Sequence, residues 1–210
     1  MDTSERRGQL RERLIEAAER TLSRDGLAAL KARDLAREVG CALGAIYTVF
    51  SDLDGLILAV NMRTLALFEG AIAASSGATS EAVDERDAAI DDLVRLALAY
   101  LAFAEQHGQR WRALFQHRIE SGDVPDWYRA EQGRLFRYIE APLARLCPSL
   151  TEAERSLRAR SLFSSTHGVV SLGLDEKLVV LPAATLAREL ETLVRALGRG
   201  LADEGKRGES

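Results

Sequence analysis

The side chains best suited to chemistry in this chain are few and widely spaced. Its three histidines, His107, His117 and His167, and its two cysteines, Cys41 and Cys147, form no HExxH, CxxC or other short ligand spacing, so no metal site is expected. There is also no phosphate-cradling glycine loop and no dinucleotide glycine pattern, and Gly168-Val169-Val170-Ser171-Leu172-Gly173 puts its serine one place too late for a nucleophile elbow. Neither an enzyme nor a cofactor is expected. These residues are better suited to binding. Ten of the twelve aromatic residues lie beyond Phe50. Trp111, Phe115, Trp127, Phe136 and Phe163, with His117 and His167 as polar groups, are the wall materials of a small-molecule cavity between helices. Each of them also suits ordinary core packing.

Positioning such residues falls to helices. Of 210 residues 47% are hydrophobic and only four are proline, at 125, 142, 148 and 182; with abundant Ala, Leu, Arg and Glu this predicts an all-α protein of about nine helices. Leu10, Leu14, Ala18 and Leu22 recur every four residues and Asp25-Gly26 stops the pattern, which predicts an amphipathic first helix. Short helices over 32–39 and 42–49 follow, then a long helix over 52–74 opened by a capping box at Ser51. Segment 75–80 has loop composition. Further helices are expected over 88–103, 110–118, from Pro125 to a kink or end at Pro142, 152–174 behind a second capping box at Thr151, and 184–202, before a fraying tail over 203–210.

Two short helices joined by a tight turn, directly after a longer one, make a helix-turn-helix unit. Ala36 is small where the helices cross, Gly40 can take the left-handed turn conformation, and Leu35, Val39 and Ile46 can share a core with Leu27 and Leu30. The stretch Leu35 to Phe50, with Phe50-Ser51-Asp52-Leu53-Asp54-Gly55-Leu56 opening the next helix, resembles the DNA-binding domain of the TetR family of transcriptional regulators. That resemblance implies a three-helix DNA-binding domain over 1–51 and a helical ligand-binding and dimerisation domain over 52–210. It also implies a recognition helix from Ala42 to Val49, in which Leu43, Gly44, Ala45, Tyr47 and Thr48 face operator DNA, while Lys31 and Arg33 reach the phosphate backbone. The sequence departs from the family at Leu43, Val49 and Leu53, three apolar residues where polar or cationic ones are usual. A regulator with weakened or lost DNA binding, acting on a small molecule or protein partner, is the alternative.

Helix eight carries a stripe of small residues, Ser161, Ser164, Gly168 and Ser171, along which another helix can approach. Phe163, His167, Val170 and Leu174 form its inward stripe. Helix nine adds a leucine seam, Leu186, Leu190, Leu193, Leu197 and Leu201. In the family the last two helices pair with those of a second subunit, so the resemblance implies a homodimer. Residues 111–118 and 164–172 further resemble a TetR ligand-domain subgroup named for a Trp-His-Gly signature, with Thr166 in the Trp position.

Charge bears on the partner. The formal net charge is -4, so no global basic field draws the chain to nucleic acid or an anionic membrane. Position changes this picture. Arg6, Arg7, Arg11, Arg13, Arg20, Arg24, Lys31, Arg33 and Arg37 are nine cations that outnumber the acids of the same stretch. The longest uninterrupted apolar run, 96–104, is too short to span a bilayer, and the N-terminus runs straight into charge. No membrane partner is expected. A reducing cytoplasm is the expected compartment.

Overall fold

Helix α1, Thr3–Asp25, starts earlier than its apolar spacing suggests because Asp2 and Glu5 form a reciprocal capping box, satisfying amides that a helix start leaves free. Its inner face buries Leu14, Ile15, Ala17, Ala18 and Leu22. After a 3-10 turn at Leu27–Ala29 come α2, Ala32–Val39, and α3, Leu43–Val49. Gly40 ends α2 at φ +73°, a left-handed backbone that side chains disfavour. The chain continues as α4, Leu53–Ser75; α5, Glu85–Gln106; α6, Gly108–Gln116; α7, Asp126–Leu146; α8, Glu152–Gly173; and α9, Ala183–Arg207. This computed structural model describes residues 2–75, 84–119, 123–175 and 181–207, with side chains through Asp203. Among them there are nine α-helices and no strand.

Several local expectations need correction. The cap of α4 is Asp52, whose carboxylate accepts the Gly55 N–H at 2.7 Å; the Ser51 hydroxyl instead donates to Asp52 at 3.2 Å. Of the kink or end expected at Pro142, the end does not occur: α7 carries the proline internally and runs on to Leu146, since a single lost hydrogen bond can be outweighed by packing. The tail expected to fray is helical as far as Arg207. The loop expected over 75–80 lies, beyond Ser75, outside the described residues. The Thr151 capping box forms as expected, with Glu154 returning to the Thr151 amide.

Compactness divides the chain into two units. The first comprises Met1–Leu67 with Gln106–Glu131 and the second Phe68–Glu105 with Gln132–Ser210. In the first, Leu30, Leu35, Ala36, Val39, Ile46 and Phe50 join the apolar face of α1 and the start of α4 in one core. Ion pairs frame it. Glu19 meets Arg63 at 3.1 Å and Arg110 at 2.6 Å, and Arg110 Nε also donates to Thr64 Oγ1 at 3.2 Å. In the second unit α8 and α9 approach so closely at Gly173 that a Cβ there would collide with the Leu186 side chain.

Helix α4 is long and apolar enough to cross a membrane by length and composition, although polar residues interrupt its apolar runs. Its richest window is 56% buried within the protein, so packing accounts for its apolarity.

Candidate functional site

The helix-turn-helix turns one face to its core and the other to solvent. Ile46 is fully buried, while Tyr47 is 50% and Leu43 37% exposed. Ala42, Gly44 and Thr48 are exposed as well, and Ala45 is half-buried. Gly44 has nothing within 4 Å of where a Cβ would sit, which leaves the backbone of α3 open to close approach. Lys31, the N-cap of α2, and Arg33 in its first turn are both accessible. The expected DNA-facing residues are therefore accessible, Ala45 in part.

Not all nine N-terminal cations are equally available. Arg13 donates to the Val39 carbonyl at the end of α2. Arg20 pairs with Glu38 at 2.8 Å, Arg24 with Asp25 at 2.7 Å and Arg37 with Asp34 at 3.1 Å, while the Arg11 guanidinium lies 5.4 Å over the Phe50 ring. Lys31, Arg33, Arg6 and Arg7 are exposed and form no ion pair within the described residues. Among the described residues these four cations of the N-terminal segment are the ones left outside its ion pairs and its other side-chain contacts.

The residues expected to line a cavity fall in both units. Trp111, Phe115, His117 and Trp127 belong to the first unit. There Trp111 is buried core, whereas Phe115 and Trp127 are 43% and 53% exposed. His117 Nε2 lies 3.3 Å from Asp54 Oδ1; burial pushes its pKa down, opposed by the Asp54 charge. Sequence reading missed the polar interior of this unit. Asn61 and Thr64 are buried on α4, and Asn61 hydrogen-bonds the buried Tyr128, whose pKa burial raises. Asn61 Oδ1 itself has no hydrogen-bond partner among the described residues. A polar residue on the inner side of an apolar helix was the available signal.

Phe136, Phe163 and His167 meet in the second unit, joined by Phe68, Tyr100 and Phe103, which the sequence did not single out. Phe163 stacks on His167 at 5.8 Å and meets Phe136 edge-on at 5.5 Å. Tyr100 meets Phe163 at 5.6 Å and Phe68 at 5.5 Å, and Phe68 meets Phe103 at 5.0 Å. The Tyr100 hydroxyl lies 2.7 Å from His167 Nδ1. Burial holds the His167 pKa below its ordinary value, which favours the neutral ring, whose unprotonated Nδ1 can accept a hydrogen bond from the phenol. Thr166, next to it, is buried. Together these residues make an apolar wall with one hydrogen-bonding pair, suited to a flat or aliphatic ligand.

The small-residue stripe of α8 is accessible. Ser161 and Ser164 are exposed, Gly168 and Ser171 are half-buried, and Leu157 and Leu172 on the same face are 64% and 55% exposed. The leucine seam of α9 is not a single surface. Leu186 and Leu190 are wholly buried within the chain, packed inward by the close α8–α9 approach, and have no surface to offer a second subunit. Leu193 and Leu197 are half-buried.

With this geometry in place, two family profiles match the chain: one described as "Tetracyclin repressor-like, C-terminal domain" over residues 93–197, and one described as "Bacterial regulatory proteins, tetR family" over 14–60. The chain belongs to the TetR family. Neither match distinguishes the Trp-His-Gly subgroup. As a TetR-family protein it is a ligand-responsive, DNA-binding transcription regulator. No curated protein matches it. Among solved structures, a protein of unknown function from a Rhodococcus species is 23% identical with a TM-score of 0.67, the match covering 92% of this chain and 95% of that one. The TetR regulator PfmR from Thermus thermophilus is 20% identical with a TM-score of 0.56, covering 87% and 97%. The multidrug binding protein EbrR, complexed with imidazole, is 22% identical with a TM-score of 0.59, covering 88% and 93%. At these identities the likeness is one of TetR fold. Among the described residues no group of three or more His, Cys, Asp or Glu side chains could hold a metal ion.

Proposed function

We propose that this TetR-family chain is a homodimeric repressor, released from operator DNA by a small, mostly apolar effector. The observation that carries the reading is the exposure of α2 and α3, where Lys31, Arg33, Leu43, Gly44, Tyr47 and Thr48 are accessible and the two cations form no ion pair among the described residues. Lys31, Arg33 and Tyr47 contact phosphates, while Ala42, Leu43, Gly44, Ala45 and Thr48 meet the groove. Two such units must sit roughly 34 Å apart to enter successive major grooves. The accessible α8 face, Ser161, Ser164, Gly168 and Ser171 between Leu157 and Leu172, supports pairing with a second copy, with Leu193 and Leu197 at its margin.

The effector lies against Phe136, Phe163 and His167. EbrR, a protein of this fold, was crystallised with imidazole, a small ring compound, which supports the reading. An effector can shift the DNA-binding equilibrium only by its differential affinity for the two arrangements. The regulator does no catalysis and works in the cytoplasm, where its DNA lies.

A mobility-shift assay on the promoter fragment of its own gene tests the reading. A salt-dependent shift that Tyr47→Ala abolishes is expected. Leu43, Val49 and Leu53 favour a second reading, a helical regulator without DNA binding. The absence of any shift at low salt, with Tyr47 intact, would decide for it.

A further inference from the structure

The second unit also holds a cavity of about 520 Å³ between α4, α5 and α7. Four arginines line it, Arg95, Arg134, Arg137 and Arg145, against two acids, Glu69 and Asp92. Both acids are already engaged. Glu69 accepts from Arg134 at 2.5 Å and from the Tyr138 hydroxyl at 3.2 Å, and Asp92 accepts from both Arg95 and Arg145. Arg137, exposed at the rim, forms no ion pair among the described residues. Guanidinium groups do not deprotonate in proteins, so the cavity keeps two positive charges more than its own carboxylates neutralise. Fixed positive charge in a concave, partly dry site attracts an anion, and guanidinium is the side chain whose fork fits an oxyanion.

The cavity and the aromatic wall share three helices, α4, α5 and α7. Leu96, which lines it, is one turn of α5, about 6 Å, from Tyr100. On α4, Glu69 directly follows Phe68. A ligand with an apolar body against Phe68 and Tyr100, whose rings meet at 5.5 Å, can therefore extend a charged end toward the arginines. We propose that the effector is an anionic amphiphile whose carboxylate or phosphate docks in the cavity of Arg95, Arg134, Arg137 and Arg145. This rests on the reading that the aromatic wall takes the effector's apolar part.

The test is calorimetric titration of the full-length protein at low salt with decyl phosphate, decanoate and decanol, each below its aggregation threshold. At least one of the anions should bind about tenfold or more tightly than decanol, the size expected of charge-assisted hydrogen bonds. The preferred anion identifies the headgroup. Arg137→Gln should reduce that advantage and Arg137→Glu should remove it, with decanol affinity unchanged. Arg137 is exposed and outside the ion pairs, so both variants should melt with the wild type. Equal binding of anion and alcohol, no anion binding, or an undiminished advantage in Arg137→Glu would overturn the proposal. If the anion binds through Arg137 yet does not release operator DNA, the switch reading fails and the anion site stands.

Discussion

Arg110 Nη1 of α6 lies 2.6 Å from Glu19 Oε1 of α1, with both side chains largely buried. The same guanidinium donates through Nε to Thr64 of α4, so one side chain ties three helices of the first unit together. Removing one partner leaves the other charge uncompensated where water reaches it poorly. Arg110→Ala should therefore cost about 1–3 kcal/mol, read as a lower melting temperature. Glu19→Ala should not add fully to it in a double-mutant cycle, because the two changes remove one interaction.

Free and paired cations should separate in DNA binding. Lys31→Ala and Arg33→Ala are each expected to lower the salt slope of operator affinity by about one and to weaken binding evenly across sequences. Arg37→Ala, whose guanidinium already meets Asp34, should change the slope by much less. Fluorescence anisotropy over a salt series checks this, and equal slopes for all three variants would refute the distinction.

The leucines of α8 and α9 should also part company. Leu157→Glu alters an exposed residue and should weaken self-association in sedimentation velocity while leaving the chain folded. Leu190→Ala removes a fully buried side chain and should cost about 2–5 kcal/mol of stability. A dimer unchanged by Leu157→Glu would show that this α8 face is not the interface.

Burial lowers the pKa of both His117 and His167, and at His117 the Asp54 charge partly opposes it. The unfolded chain then takes up protons as pH falls below about 6.5, while the folded chain resists. The stability these residues allow is complete above that pH and is lost as pH falls toward the depressed folded values. Melting temperature should drop between pH 7.5 and 5.5, roughly one unit either side of the unperturbed histidine value, and His167→Gln should drop less than the wild type. An equal drop would mean that His167 takes no part.

Much of this was legible in the sequence because it is written in neighbours. The helices, the Thr151 capping box, the Gly40 turn and the alternation of Ile46 inward with Tyr47 outward all depend on residues within about a turn of one another, where hydrogen bonds and steric limits act locally. The same holds for the helix-turn-helix register and for the small face of α8. Even locally one competition was misjudged, since at α4 the Asp52 carboxylate rather than the Ser51 hydroxyl takes the Gly55 amide.

Tertiary packing decided the rest. Which cations of the N-terminal segment stay outside ion pairs depends on acids brought close by folding, as Glu38 is to Arg20 eighteen residues away. That Leu186 and Leu190 face inward follows from how closely α9 meets Gly173, and leucine spacing alone cannot distinguish an inner seam from an outer one. Phe68, Tyr100, Phe136 and Phe163 come from four helices, and so do not read as a cluster along the chain. The sequence by itself determined the helices and the fold they belong to, because short-range energetics select them. Only the tertiary structure determined which charges are neutralised and which aromatic rings meet, because pairing across tens of residues depends on where whole helices lie.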